Sequence, residues 1–157
     1  MDAYVLADEI KSPKSYSLRT LHVLSNLSKD DASIITKVAP FILADDSGKR
    51  VIIHERHKDS DMLNFEDLLF LSELGLLETS SSLAMSWKFE YTASDYSNCI
   101  KLKNNTIGIN IYTSEKEYVL PTYSATVIGN QIFSLIEGVE PNIEYYQSVL
   151  EKLLIDW

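Results

Sequence analysis

The hydrophobic period of this chain changes twice, and those changes constrain its fold more than any other feature. Through residue 77 apolar residues recur mostly at spacings of three and four, as on one face of a helix; from Leu83 they alternate with polar residues; from Val127 helical spacing returns. In the central stretch Leu83, Met85, Trp87, Phe89 and Tyr91 fall on one face of a strand, with Ser86, Lys88 and Glu90 on the other. Further strands are expected over 99–103, 106–112 and 118–123, with Asn104-Asn105 as a tight hairpin turn. This order predicts an α+β fold: helices packed on an antiparallel β-meander, followed by two C-terminal helices. The apolar sheet face, with Met85, Trp87, Phe89, Ile107, Ile109 and Ile111, needs that helical cover.

Local signals set the helices. Tyr4, Val5, Leu6, Ala7 and Ile10 suit a first helix that Pro13 ends. Ser17 caps a second, with Leu18, Leu21, Leu24 and Val23 on one face. Ser28 and Asp31 have capping-box spacing for a third, whose expected buried stripe is Ala32, Ile35, Ala39 and Ile42, and which Pro40 ends. Asp45-Asp46-Ser47-Gly48 reads as a turn before a strand at Val51-Ile52-Ile53. Asn64 caps a fourth helix carrying Leu68, Leu71 and Leu74, and Gly75 closes it. Ser124 and Thr126 are candidate caps for a helix with Val127, Ile128, Ile132, Phe133 and Ile136, stopped by Gly138. Pro141 is expected early in the last helix, which carries Ile143, Tyr146, Leu150 and Leu153.

At 157 residues, 45% of them hydrophobic, the whole chain, 1–157, is expected to form one domain. No apolar run approaches the roughly 20 residues that cross a bilayer, and residues 1–11 lack the pattern of a secretory signal, so the expected location is the cytoplasm with no membrane partner. Cys99 is the only cysteine, and its expected place is a strand interior. Fourteen Lys plus Arg against 23 Asp plus Glu give a formal net charge of −9, which disfavours diffuse attraction to nucleic acid. One local exception spans residues 48–58, where Lys49, Arg50, Arg56 and Lys58 face a single Glu55.

No catalytic constellation emerges. The five glycines stand at 48, 75, 108, 129 and 138, too far apart for a phosphate cradle, and no serine sits in a Gly-x-Ser-x-Gly elbow. No cofactor is implied. His22 lies beside an apolar helical stripe and is expected to be a partly buried structural residue. His54 and His57, with Glu55, Asp59 and Asp61 near, have ligand chemistry for a divalent metal, but a spacing of three brings them together only on a helix or turn. Glu115-Lys116-Glu117 has nuclease residue types in a place that suits a solvated turn. Trp87, Phe89 and Tyr91 could stack bases, yet their period of two matches the buried side of a sheet.

The stretch Leu6-Ala7-Asp8-Glu9-Ile10-Lys11-Ser12-Pro13, followed by Ser17-Leu18-Arg19-Thr20-Leu21 and Asn26-Leu27-Ser28, resembles an uncharacterised bacterial family catalogued as a domain of unknown function. The family has glycine where this chain has Asp8 and Lys14. Residues 120–135 resemble its strand leading into a Leu-Thr-x-x-Gly-x-x-Leu helix, here Ala125-Thr126-Val127-Ile128-Gly129. The resemblance implies additional helical sequence ahead of this region, so that Met1 begins a fragment of a longer protein, and it brings no activity. The order helix-helix-strand-helix-strands is also similar to a winged helix, with residues 64–75 at the recognition-helix position.

The expectation is therefore a non-enzymatic protein-interaction or oligomerisation module, with Tyr4 and Ile10 of the first helix as interface anchors. The alternative is a nucleic-acid-binding regulatory or defence-associated module that uses the basic 48–58 ribbon.

Overall fold

The computed structural model describes residues 16–53, 62–79, 84–90, 98–136 and 138–155. Helix α1 (Leu18–Asn26) begins where the Ser17 hydroxyl accepts the Thr20 amide, and α2 (Lys29–Val38) begins on a full capping box between Ser28 and Asp31. Pro40 then converts the chain to a 3-10 turn at Ala39–Phe41. Strands β1 (Leu43–Asp45) and β2 (Arg50–Ile53) form a hairpin whose turn is held by Asp45 Oδ1, which accepts the amides of Ser47 and Lys49. Asn64 caps α3 (Phe65–Glu73), and Gly75, at φ 76°, closes it as the sequence indicates.

Strand β3 (Leu77–Glu78) follows at once. Then come β4 (Ala84–Lys88), β5 (Asn98–Lys103), β6 (Gly108–Thr113) and the nine-residue β7 (Glu117–Ala125). Helices α4 (Val127–Ser134) and α5 (Ile143–Ile155) complete the fold. Every strand pair is antiparallel, so the molecule is α+β as expected. The strand order is β3-β7-β2-β1-β5-β6, with β4 also on β7. The β5–β6 hairpin is the expected one, its turn set by Asn104 Oδ1 accepting the amides of Thr106 and Ile107. Strand β7 does not continue from it as in a simple meander; it crosses to pair with β2, β3 and β4.

One apolar cluster fills the interior. Met85, Ile109 and Ile111 are buried in it, and Trp87, Phe89 and Ile107 pack against it, so the period of two marks core and not a stacking surface. Tyr145 is fully buried, edge-on to Phe41 with ring centres 4.9 Å apart, and its hydroxyl donates to the Ile53 carbonyl.

Four local expectations need correction. Leu18 is 84% exposed; the inward side of α1 carries the fully buried Thr20, with Val23 and Leu24 against the core. A polar contact sets that rotation, because the Thr20 hydroxyl and the Ser17 amide both donate to Gln131 Oε1 on α4. Ala32 is exposed, and Val38 takes its place beside Ile35. Pro141 precedes α5, whose cap is Asn142, accepting the Tyr145 amide. Ser124 lies within β7, leaving Thr126 as the cap of α4. Residues 2–10 lie outside the described residues.

Of the five glycines, Gly129 has the least room for a side chain. Thr126 donates its amide to the Leu76 carbonyl and its hydroxyl to the Gly75 carbonyl, which brings the first turn of α4 onto the backbone after α3. A Cβ at Gly129 would stand 1.9 Å from the Leu76 carbonyl oxygen, whereas one at Gly108 meets nothing closer than 3.9 Å. Gly129→Ala should therefore cost upwards of about 3 kcal/mol in urea unfolding, since backbone and not a side chain must yield. Gly108→Ala should stay within about 1 kcal/mol of the parent.

Candidate functional site: a cationic cleft and an open sheet edge

Ala44 in the middle of β1 pairs with Arg50 on one side and Lys103 on the other. Residues directly opposite in an antiparallel ladder share a face, so both cations flank the small Ala44 side chain, two strand spacings apart, or roughly 10 Å. Together they border a cleft of about 420 Å³. Part of its wall is apolar, formed by Pro40 and Ile42 after α2 and by Phe133, Ile136 and Val139 at the end of α4 and just beyond it. Ala39, Asn104, Asn105 and Ser134 also line it, and none of the described lining residues is a carboxylate.

Arg50 is held in place from α4. Its amide donates to Asn130 Oδ1 at 3.0 Å and its guanidinium to the Asn130 carbonyl at 3.3 Å. Neither Arg50 nor Lys103 forms an ion pair among the described residues; the pairs there are Lys37 with Asp67 and Lys88 with Glu117. Burial lowers the Arg50 pKa from its ordinary value. Two of the polar lining residues are engaged within the protein. Ser134 Oγ donates to the Gln131 carbonyl, and Asn104 Oδ1 holds its own turn. Behind them the Tyr146 hydroxyl donates to the Pro40 carbonyl at 3.0 Å. Burial pushes the Tyr146 phenol far above the usual tyrosine range, against a smaller opposing effect of its hydrogen bond with Asn104.

The outward side of the β5–β6 hairpin continues this basic face. Lys101 pairs with Asn110 and Cys99 with Tyr112, and alternation puts all four on the side of Lys103, with Tyr112 53% exposed. Strand β6 ends the sheet among the described residues, and Gly-Ile-Asn-Ile-Tyr-Thr carries neither charge nor proline.

Of the residues singled out from sequence, Lys49 is exposed in the β1–β2 turn and Arg50 enters the cleft. Arg56, Lys58, His54, His57, Tyr4 and Ile10 lie outside the described residues. His22 is exposed on α1 and not partly buried, because the rotation that buries Thr20 turns it to solvent. Glu115, Lys116 and Glu117 are exposed at the β6–β7 turn, and Glu117 accepts the Ser86 hydroxyl. Among the described residues no three His, Cys, Asp or Glu side chains gather as a metal group, and no helix is long and apolar enough to cross a membrane. Sequence reasoning missed Lys103, Lys101 and Tyr112, whose signal is the alternation of 99–103 with 108–113 about the Asn104-Asn105 turn.

A protein-family profile matches residues 1–150 of the chain. The chain belongs to the family described as Protein of unknown function (DUF2806). No curated protein and no solved structure matches it. Membership assigns no activity.

The buried phenols give a pH test of the packing behind the cleft. Burial raises the pKa of both Tyr146 and Tyr123 above the ordinary 10.0. Above pH 10 the unfolded chain therefore loses these protons before the native state does, so stability is unaffected below that pH and falls as pH rises through it. Tyr146→Phe should reduce the slope of that alkaline limb by up to about 1.4 kcal/mol per pH unit. It should cost about 1 kcal/mol at neutral pH for the lost bond to Pro40, both read from denaturant unfolding over pH 8 to 11.

Proposed function

We propose that this domain is a non-enzymatic interaction and oligomerisation module that pairs with a second copy along β6. The observation that carries the reading is the character of that strand. Natural edge strands are blunted by charge, proline, bulges or shortness, and this six-residue strand has none of the four. Antiparallel pairing of β6 with its twofold mate sets identical edges against each other, with no charged residue of either strand in the contact. An even register keeps Asn110 and Tyr112 on one face in both copies. Helix α3 supports a protein partner as well. It carries Glu66, Asp67 and Glu73, no cation, and the exposed Phe65 and Leu69. Multi-angle light scattering should report a dimer of the parent. The double variant Asn110→Lys, Tyr112→Lys should run as a folded monomer, because like charges then oppose across the strand pair. A parent that stays monomeric at high micromolar concentration sinks the reading.

A second reading, nucleic-acid binding, is favoured by the shared face of Arg50, Lys103 and Lys101, with Lys49 beside it and Tyr112 available to stack on a base. Three phosphate contacts on a single strand predict a slope of about −2 in log K against log salt. Filter retention of labelled single-stranded RNA should show that slope and be lost in Lys49→Glu, Lys103→Glu. Retention unchanged in the variant counts against this face.

A further inference from the structure

We infer that the cleft between Arg50 and Lys103 is a binding site for a small amphipathic anion, a single carboxylate or phosphate head on an apolar body. The volume, about 420 Å³, lies within the range of small-molecule sites, and the lining divides the way such a ligand does. At the mouth two cations flank Ala44 on one rung of the sheet, without a carboxylate partner among the described residues. Guanidinium and ammonium groups without a counter-ion gain most from an anionic head that accepts from both, and Arg50 is already oriented by Asn130. The small Ala44 methyl leaves the floor open between them.

Beyond the head-group position the cleft is walled by Pro40, Ile42, Phe133 and Ile136, with Ser134 and Asn104 spending their hydrogen-bonding oxygens on neighbouring protein groups. A second charge on the ligand would lie against those apolar side chains, which is costly, while an alkyl or aryl body gains from them. The chemistry thus selects one anionic head at one end.

Isothermal titration of the full chain with four probes and a neutral control tests this. Octanoate should bind at least about tenfold tighter than acetate, and phenyl phosphate at least about tenfold tighter than inorganic phosphate. Octanamide, which keeps the body and loses the charge, should give no saturable heat. Lys103→Glu, at an exposed position, should weaken octanoate and phenyl phosphate by about tenfold or more. Arg50→Gln should do the same with the circular dichroism spectrum unchanged, and Ala44→Leu should block the site by filling its floor. Acetate and phosphate equal to the larger probes would overturn the apolar body, octanamide equal to octanoate would overturn the anionic head, and silence from every probe would overturn the site. A single-stranded oligonucleotide that displaces octanoate in competition would assign the face to nucleic acid and overturn the small-ligand proposal, whatever the oligomeric state.

Discussion

The contact between the first turn of α4 and the Leu76 carbonyl is the constraint on which the rest of the molecule depends. Only a residue without Cβ lets a helix backbone approach another carbonyl this closely, and Gly129 is that residue. The approach allows Thr126 to satisfy the carbonyls of Gly75 and Leu76 while capping its own helix. With the turn fixed there, the next two side chains reach different elements. Asn130 takes the amide of Arg50 at the start of β2, and Gln131 takes the Ser17 amide and the Thr20 hydroxyl of α1. One glycine thereby positions a sheet hairpin, a helix and the guanidinium at the mouth of the cleft.

Strand β7 carries the same logic into the sheet. Its nine residues are long enough for β2 and β3 to pair along the C-terminal part and β4 along the N-terminal part, so three separate stretches of the chain converge on it. The β5–β6 hairpin is left at the far side, where among the described strands β1 joins it to the others. Its inward residues, Ile100, Leu102, Ile109 and Ile111, are buried, which forces Lys101, Lys103, Asn110 and Tyr112 outward with the opposite parity. The basic face and the open edge are consequences of burying four aliphatic side chains.

Much of this was legible where a signal is local. Caps at Ser17, Ser28, Asn64 and Thr126 and the left-handed Gly75 are each set by a few neighbouring residues, and they appear where the sequence puts them. Strands β1 and β3 were not legible, because three and two residues are too few to display a period. The face of α1 was misread for another reason: its rotation follows a hydroxyl at Thr20 meeting Gln131, 111 positions away, and apolar spacing alone does not contain that partner. The cleft was half legible. Arg50 stood out in a basic run, but its counterpart Lys103 reaches it only through two ladders sharing β1, and that register is settled by the whole sheet. At Gly129 the resembling Thr-x-x-Gly pattern marked the right residues without showing what they touch.

The chain's charge and the cleft's charge act over different distances. A formal −9 governs the field felt by an approaching ligand, but at a Debye length of about 8 Å most of it is screened before contact. Near the cleft the closest acidic side chain along β1, Asp45, points to the other sheet face by alternation, and its carboxylate is committed to the amides of Ser47 and Lys49. Among the described lining residues the charges are Arg50 and Lys103, set against partly apolar walls of low dielectric constant, where each cation counts for more than it does in water. Residual long-range repulsion grows with the number of charges a ligand carries, while the short-range gain is limited to what two cations can pair. Both effects point the same way: in an acidic domain with two cations that form no ion pair among the described residues, beside a cleft walled in part by apolar side chains, a ligand with one anionic head gains most of the attraction and meets the least of the repulsion.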